Sequence, residues 1–165
     1  RSDGSDGGGG SDGGGGGDEG DGWGAAVRVA DAGQPSEWWN GQLFDRILVD
    51  APCSASGIVR RHPDVLWHRR RSDPATFGRQ QQRLLRALWP VLKPGGKLLY
   101  VTCSLFPQEG DAVIDEFCSQ YRNCEREPIV ARWADGDQPL TQLLPNSAAQ
   151  RNHDGYYFAL LNKQT

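Results

Sequence analysis

The chain has 165 residues, with 18 Lys and Arg against 21 Asp and Glu and a net charge of −3. No apolar segment approaches the roughly 20 residues of a membrane-spanning helix, and no signal peptide is visible. Four cysteines without paired spacing exclude a disulfide framework or a local zinc motif and read as cytoplasmic thiols.

Residues 1–24 account for the acidic balance. They hold thirteen of the 22 glycines, six acidic residues and one basic one, and form a Gly/Asp/Ser-rich segment expected to be flexible. The remaining 25–165 carry 17 basic and 15 acidic residues, so the foldable part is at +2 and a polyanionic partner stays open. The chain lacks methionine and opens on Arg1 inside low-complexity sequence, which reads as the C-terminal part of a longer protein.

Ala25 to Ala30 sets Val27 and Val29 in alternation and predicts a short strand ending at Asp31. Gln34 to Gly41 reads as a loop or short helix. Phe44 to Val49 then predicts a strand, its run Ile47-Leu48-Val49 being of the kind buried on both faces of a parallel sheet. It stops on Asp50-Ala51-Pro52-Cys53, followed by small loop residues. Ser54 to Ser72 sustains no period and carries Arg60, Arg61, His62, His68, Arg69, Arg70 and Arg71.

Ser72-Asp73-Pro74 starts a helix, with proline in its first turn. Phe77, Leu84, Leu85, Leu88 and Val91 fall on its inner side, and Lys93-Pro94-Gly95-Gly96 ends it. Lys97 to Val101 predicts the next strand, which runs into Thr102-Cys103-Ser104. Pro107 opens a second helix with Val113, Ile114 and Phe117 inward. Glu125 to Val130 predicts a strand, Pro139 to Pro145 a loop, and Tyr156 to Leu161 a last apolar strand after the turn Asp154-Gly155. The class is α/β, closing on an antiparallel hairpin.

Two strands thus end on cysteines at one edge of one sheet, where open α/β sheets bind their ligands. Cys53 and Cys103 suit a nucleophilic thiolate with a second thiol as its acid or base. Cys118 and Cys124, in or just beyond a helix, suit packing. Asp50 and Asp31 end neighbouring strands and suggest a cofactor pocket, Asp50 being placed to hydrogen-bond a protonated ring nitrogen or an amine. The basic loop, with Trp67 and His68 for stacking, suits RNA.

The stretches Phe44 to Gly57, Arg60-Arg61-His62-Pro63-Asp64, Leu92-Lys93-Pro94-Gly95-Gly96, Thr102-Cys103-Ser104 and Asp154-Gly155-Tyr156-Tyr157 resemble, in order, the bacterial 16S ribosomal RNA cytosine-5 methyltransferases of the Sun/Fmu (RsmB) family. The resemblance covers about Val27 to Lys163. It implies a Rossmann-like class I methyltransferase sheet, incomplete here because its first strands are absent, and methyl transfer from S-adenosylmethionine to cytosine carbon 5. By resemblance Cys103 is the nucleophile and Cys53 assists release. Asp50 holds the cytosine near the cofactor, and Asp31, Asp50 and Pro52 line the cofactor site. Arg60, Arg61, His62, Arg69, Arg70 and Arg71 would meet ribosomal RNA. The family's glycine-rich cofactor loop is not in this sequence, so the chain by itself is expected to hold the cofactor poorly. An inactive RNA-binding fragment is the alternative.

Overall fold

The computed structural model describes residues 25–130, 139–148 and 151–165; the Gly-rich segment 1–24 lies outside them. After a 3₁₀ turn at Pro35–Glu37 the chain enters β1 (Phe44–Asp50). A 3₁₀ turn (Ser56–Ile58) and the short helix α1 (Val65–His68) lead to the main helix α2 (Asp73–Leu88). Strand β2 (Leu92–Thr102), a 3₁₀ turn (Pro107–Glu109) and α3 (Asp111–Gln120) follow. The chain closes with β3 (Cys124–Glu127), β4 (Gln142–Leu143), the hairpin β5 (Asn146–Ala148) and β6 (Arg151–His153), and β7 (Tyr156–Lys163).

The main sheet has the order β1-β2-β7-β3. β1 and β2 are parallel, with Ile47 opposite Leu98 and Asp50 opposite Val101. β7 lies antiparallel to β2, with Leu98 opposite Leu161, and carries β3 and β4 on its other side. The expected α/β class and antiparallel closure are therefore present.

Period-two burial runs along the two central strands. Leu98, Tyr100 and Thr102 on β2, and Tyr157, Ala159 and Leu161 on β7, are almost fully buried. Leu85 and Leu88 of α2 and Val113, Ile114 and Phe117 of α3 complete this core. Each fully buried leucine removes apolar surface worth about 1.5–3 kcal/mol. Gln82 ties the helices together, its Nε2 donating to the Val113 carbonyl at 2.6 Å.

Several expectations are corrected. Ala25 to Ala30 forms no strand: Val27 and Val29 are 91% and 102% exposed, and among the described residues no ladder partner reaches them. Alternation alone does not make a strand without hydrogen-bonding neighbours. Asp31 consequently sits in a loop. Ile47-Leu48-Val49 is not buried on both faces, because the helix-covered core lies on one: Val49 is 6% exposed and Leu48 67%.

The helix ends at Leu88, ahead of Val91, and β2 already starts at Leu92. Its Pro94-Gly95-Gly96 segment is absorbed as an irregularity, since the Phe44–Leu92 pair is followed by Arg46–Lys97, and Gly95 adopts φ +74° there. The expected loop at Pro139 to Pro145 contains β4, and the β5–β6 hairpin was not expected. Among the described residues no helix is long and apolar enough to cross a membrane.

Candidate active site

Parallel pairing of β1 and β2 sends both chains out of the sheet at the same edge. The last link is the Ala51 amide, which donates to the Val101 carbonyl at 2.9 Å. Beyond it Cys53 and Cys103, fifty residues apart in sequence, bring their Sγ atoms to 3.3 Å. Helix α2 fixes the first loop from beneath: buried Gln81 donates through Nε2 to the Pro52 carbonyl at 2.9 Å. Arg69 fixes it from outside, its Nε 2.6 Å from the Ser54 carbonyl while its guanidinium lies over the Phe77 ring.

One carboxylate joins both loops. Glu109 is fully buried, and its Oε1 accepts from the Ser54 amide at 2.8 Å. Its Oε2 accepts from the Ser54 hydroxyl at 2.6 Å and from the Ser104 hydroxyl. Ser54 follows Cys53 and Ser104 follows Cys103, so Glu109 holds the residue after each thiol. Glu109 is not legible in the sequence, because an acid two residues after Pro107 at a helix start looks like an ordinary solvated first-turn carboxylate. Ser56 adds a further link, with its hydroxyl 3.3 Å from that of Ser104 and accepting from the Leu105 amide at 2.9 Å.

A third loop closes the edge. The Gly57 amide donates to the Cys103 carbonyl and the Gly155 amide to the Gly57 carbonyl, both at 2.8 Å. A Cβ on Gly57 would stand 2.3 Å from the Gly155 carbonyl oxygen and 2.9 Å from that of Cys103, where backbone cannot yield cheaply. Gly57→Ala is therefore expected to cost about 1–3 kcal/mol by overpacking, read as a lower urea midpoint with unchanged slope.

The two thiols differ in acidity. The S–H of Cys53 donating to the Cys103 sulfur stabilises a Cys103 thiolate and brings its pKa from the ordinary 9.0 down to about 7, against an opposing push from burial. The same contact, with burial second, raises Cys53. Cys103 is the more acidic thiol of the pair and Cys53 the less acidic. Thiolate, not thiol, is the alkylated species. Iodoacetamide labelling of Cys103 should thus rise with pH through a midpoint near 7, approach its plateau about one unit higher, and run well ahead of Cys53. Labelling resolved by peptide mass spectrometry checks this, and a midpoint near that of an ordinary cysteine would contradict it.

Asp50 ends β1, exposed, and its carboxylate makes no hydrogen bond among the described residues. Pro52 is exposed beside it. Asp31 is not gathered in with them. Its carboxylate pairs with Arg83 of α2 at 2.6 Å and accepts from the Gly33 amide at 2.8 Å, sharing no partner with Asp50. The Arg83 hydrogen bond, followed by that from Gly33, holds its pKa below the usual carboxylate value.

The basic residues divide into two sets. Arg60 and Arg61 both pair with the carboxylate of Asp154, Arg60 at 3.4 Å, so their loop is anchored to the turn before β7 while the guanidiniums stay partly exposed. Asp154 itself is 3% exposed. Arg69, Arg70 and Arg71 instead line a cleft of about 480 Å³ with Ser54, Phe106 and Gln108, directly beside the Cys53 loop. Arg70 and Arg71 make no side-chain ion pair among the described residues, and His62 is exposed. Cys118 and Cys124 pack against the core with their sulfurs 2.8 Å apart, away from the strand edge.

Residues 22–162 match the family model described as "16S rRNA methyltransferase RsmB/F". The chain is 47% identical over 142 residues to the ribosomal RNA small subunit methyltransferase B of Vibrio cholerae, a match covering 85% of this chain and 30% of that protein. It is 44% identical over 135 residues to the probable ribosomal RNA small subunit methyltransferase B of Coxiella burnetii, covering 82% of this chain and 31% of the relative. A solved methyltransferase homologue from Pyrococcus horikoshii superposes with a TM-score of 0.60 at 30% identity, over 81% of this chain and 43% of that one. The chain spans under a third of the length of these curated relatives.

Proposed function

Since the chain belongs to the 16S rRNA methyltransferase RsmB/F family, we propose that it supplies the thiol edge at which a methyl group passes from S-adenosylmethionine to carbon 5 of a cytosine in 16S ribosomal RNA. The observation that carries this reading is the 3.3 Å contact between the sulfurs of Cys103 and Cys53 at the carboxyl ends of two parallel strands. A lone thiolate serves many reactions. A thiolate with a second thiol at hydrogen-bond distance and a free carboxylate nearby suits addition to a ring followed by elimination from it.

Carbon 5 of cytosine is too weak a nucleophile to take a methyl group directly. Cys103 adds through sulfur to carbon 6, and the displaced ring electrons make carbon 5 nucleophilic. Asp50, whose carboxylate is otherwise unengaged, accepts a hydrogen bond from the protonated ring edge and favours that addition. After methylation the carbon 5 proton passes to a solvent water oriented by Cys53, its bonding pair re-forms the carbon 5–carbon 6 double bond, and the Cys103–carbon 6 bond breaks with its pair returning to the Cys103 sulfur.

The residues present fit a cationic methyl donor, since an exposed carboxylate, Asp50, lies beside Pro52 at the sheet edge. S-adenosylmethionine supplies the electrophilic methyl group. Asp50 and Pro52 would hold it near the thiols, whereas Asp31, its carboxylate taken up by Arg83 and Gly33, would reach it only if that pairing opened. The basic residues Arg60, Arg61, His62, Arg69, Arg70 and Arg71 meet RNA phosphates, and a cytoplasmic setting keeps the thiols reduced.

The test is an adduct trap, applied to the chain alone and to a chimera in which it replaces the matching 142 residues of the Vibrio cholerae relative. Each is incubated with S-adenosylmethionine and 16S RNA carrying 5-fluorocytidine, which has no carbon 5 proton to lose. RNA linked to the Cys103 peptide supports the reading. Linkage to Cys53 would reverse the two roles, and binding without linkage in both proteins would favour an RNA-binding fragment, for which Arg70 and Arg71 are the exposed contacts.

A further inference from the structure

We propose that Glu109 is a positioning residue for the thiol pair, locking the two cysteine loops together so that Cys53 stays within hydrogen-bond reach of Cys103. The inference rests on the two-thiol reading above. Its basis is that a fully buried carboxylate here has no cationic partner among the described residues. Burying a charge unpaired is costly unless hydrogen bonds compensate it. All three donors that do so belong to residues directly following the thiols: the Ser54 amide, the Ser54 hydroxyl and the Ser104 hydroxyl.

Other bonds also hold these loops, among them the Gly57 amide to the Cys103 carbonyl and the Ser56 hydroxyl to that of Ser104, but Glu109 is the buried carboxylate that bonds the residue after each thiol. Direct β1–β2 pairing ends at Asp50 and Val101, and the Ala51 amide makes the last strand link before both chains enter their loops. Glu109 is itself fixed from its own side. Its carbonyl accepts from the Tyr100 hydroxyl at 3.0 Å, and its amide donates to the Phe106 carbonyl at 2.9 Å. It therefore bridges a rigid strand to two loops that carry thiols, as a preorganised site requires of its supporting residues. Glu109 acts through the serines and touches neither sulfur's hydrogen bond directly.

A positioning role and a simple charge effect predict opposite results. The charged groups facing Cys103 are Asp50 from β1 and Glu109, both of which push its thiol up, with the Cys53 S–H pulling it down. Removing the Glu109 charge alone would lower the pH at which Cys103 ionises. Releasing the loops would take away the Cys53 hydrogen bond, the largest influence, and raise it.

The experiment is the pH dependence of iodoacetamide labelling at Cys103 in Glu109→Gln and in Ser104→Ala, read by peptide mass spectrometry with circular dichroism as the folding control. Neither RNA nor cofactor enters, so the result stands apart from whether the chain methylates RNA. The Glu109→Gln midpoint is expected to rise by about one pH unit from about 7, and that of Ser104→Ala by a smaller step in the same direction. A midpoint unchanged or lowered in a folded Glu109→Gln protein overturns the proposal. If Glu109→Gln does not fold, Ser104→Ala decides by the same criterion, because it removes one of the three hydrogen bonds and leaves the charge in place.

Discussion

Alanine at Cys103 is expected to lower methyl transfer by at least about 10³-fold and to leave no covalent RNA adduct, while RNA affinity changes less than about twofold. The size follows from what is lost. Without addition to carbon 6 the ring has no route to a nucleophilic carbon 5, and no neighbour replaces the sulfur, since Cys53 is the thiol whose proton is held by the same contact. Affinity is spared because the basic residues lie on the loop and α1–α2 segment, not on the strand end that carries Cys103. The assay measures methyl incorporation and RNA binding side by side in the chimera, with the adduct trap in parallel. Residual turnover within tenfold of the parent would remove Cys103 from the nucleophile's role. An unchanged binding curve together with no turnover in the parent would leave the fragment reading instead.

The strand ends were legible for a local reason. Ile47-Leu48-Val49 and Leu98-Leu99-Tyr100-Val101 each run apolar into a Pro- or Ser-rich loop, and apolar-run-then-loop is the signature of a strand reaching a ligand edge. The parallel pairing that brings Cys53 to Cys103 follows from a helix placed between the two runs. What misled was pattern without context. Val27 and Val29 alternate as well as any strand, yet no ladder reaches them among the described residues. Leu48 reads as core, but the helices cover one face of the sheet.

The pieces that were not legible depend on contacts between distant residues. Glu109 becomes a buried hub through Ser54, fifty-five positions earlier. Arg60 and Arg61, read only as RNA contacts, meet Asp154 more than ninety positions later. Sulfur proximity also proves a weak guide when taken alone. Cys118 and Cys124 approach more closely than the strand-end pair, and Cys118 is likewise made more acidic by its neighbour. What separates the pairs is their setting. One sits against the hydrophobic core at the end of a helix, the other between hydrogen-bonded loops at the edge that also presents Asp50.

Alanine at Cys53 should behave as the mirror of alanine at Cys103: the RNA adduct forms with unmodified cytosine and persists, while turnover falls by about 10²-fold or more, the usual worth of a placed acid or base. Addition survives, slowed by a smaller thiolate fraction, because the Cys103 sulfur is still present, whereas elimination loses the group that assists departure of the carbon 5 proton. The same substitution removes the S–H that holds the Cys103 thiolate, so the midpoint for Cys103 labelling should climb from about 7 toward the ordinary value of 9.0. The sign is fixed by the hydrogen bond, since a donor to the charged form lowers a thiol's pKa and its loss raises it. Denaturing gels of protein with normal RNA detect the adduct, and labelling across pH 6–9 (roughly the range in which thiols ionise) gives the midpoint. An adduct that appears only in the parent would make Cys53 the nucleophile. An adduct that persists with no shift in the midpoint would keep Cys53 in the release step but deny it any part in forming the thiolate, and the 3.3 Å contact would then matter only after the methyl group has moved.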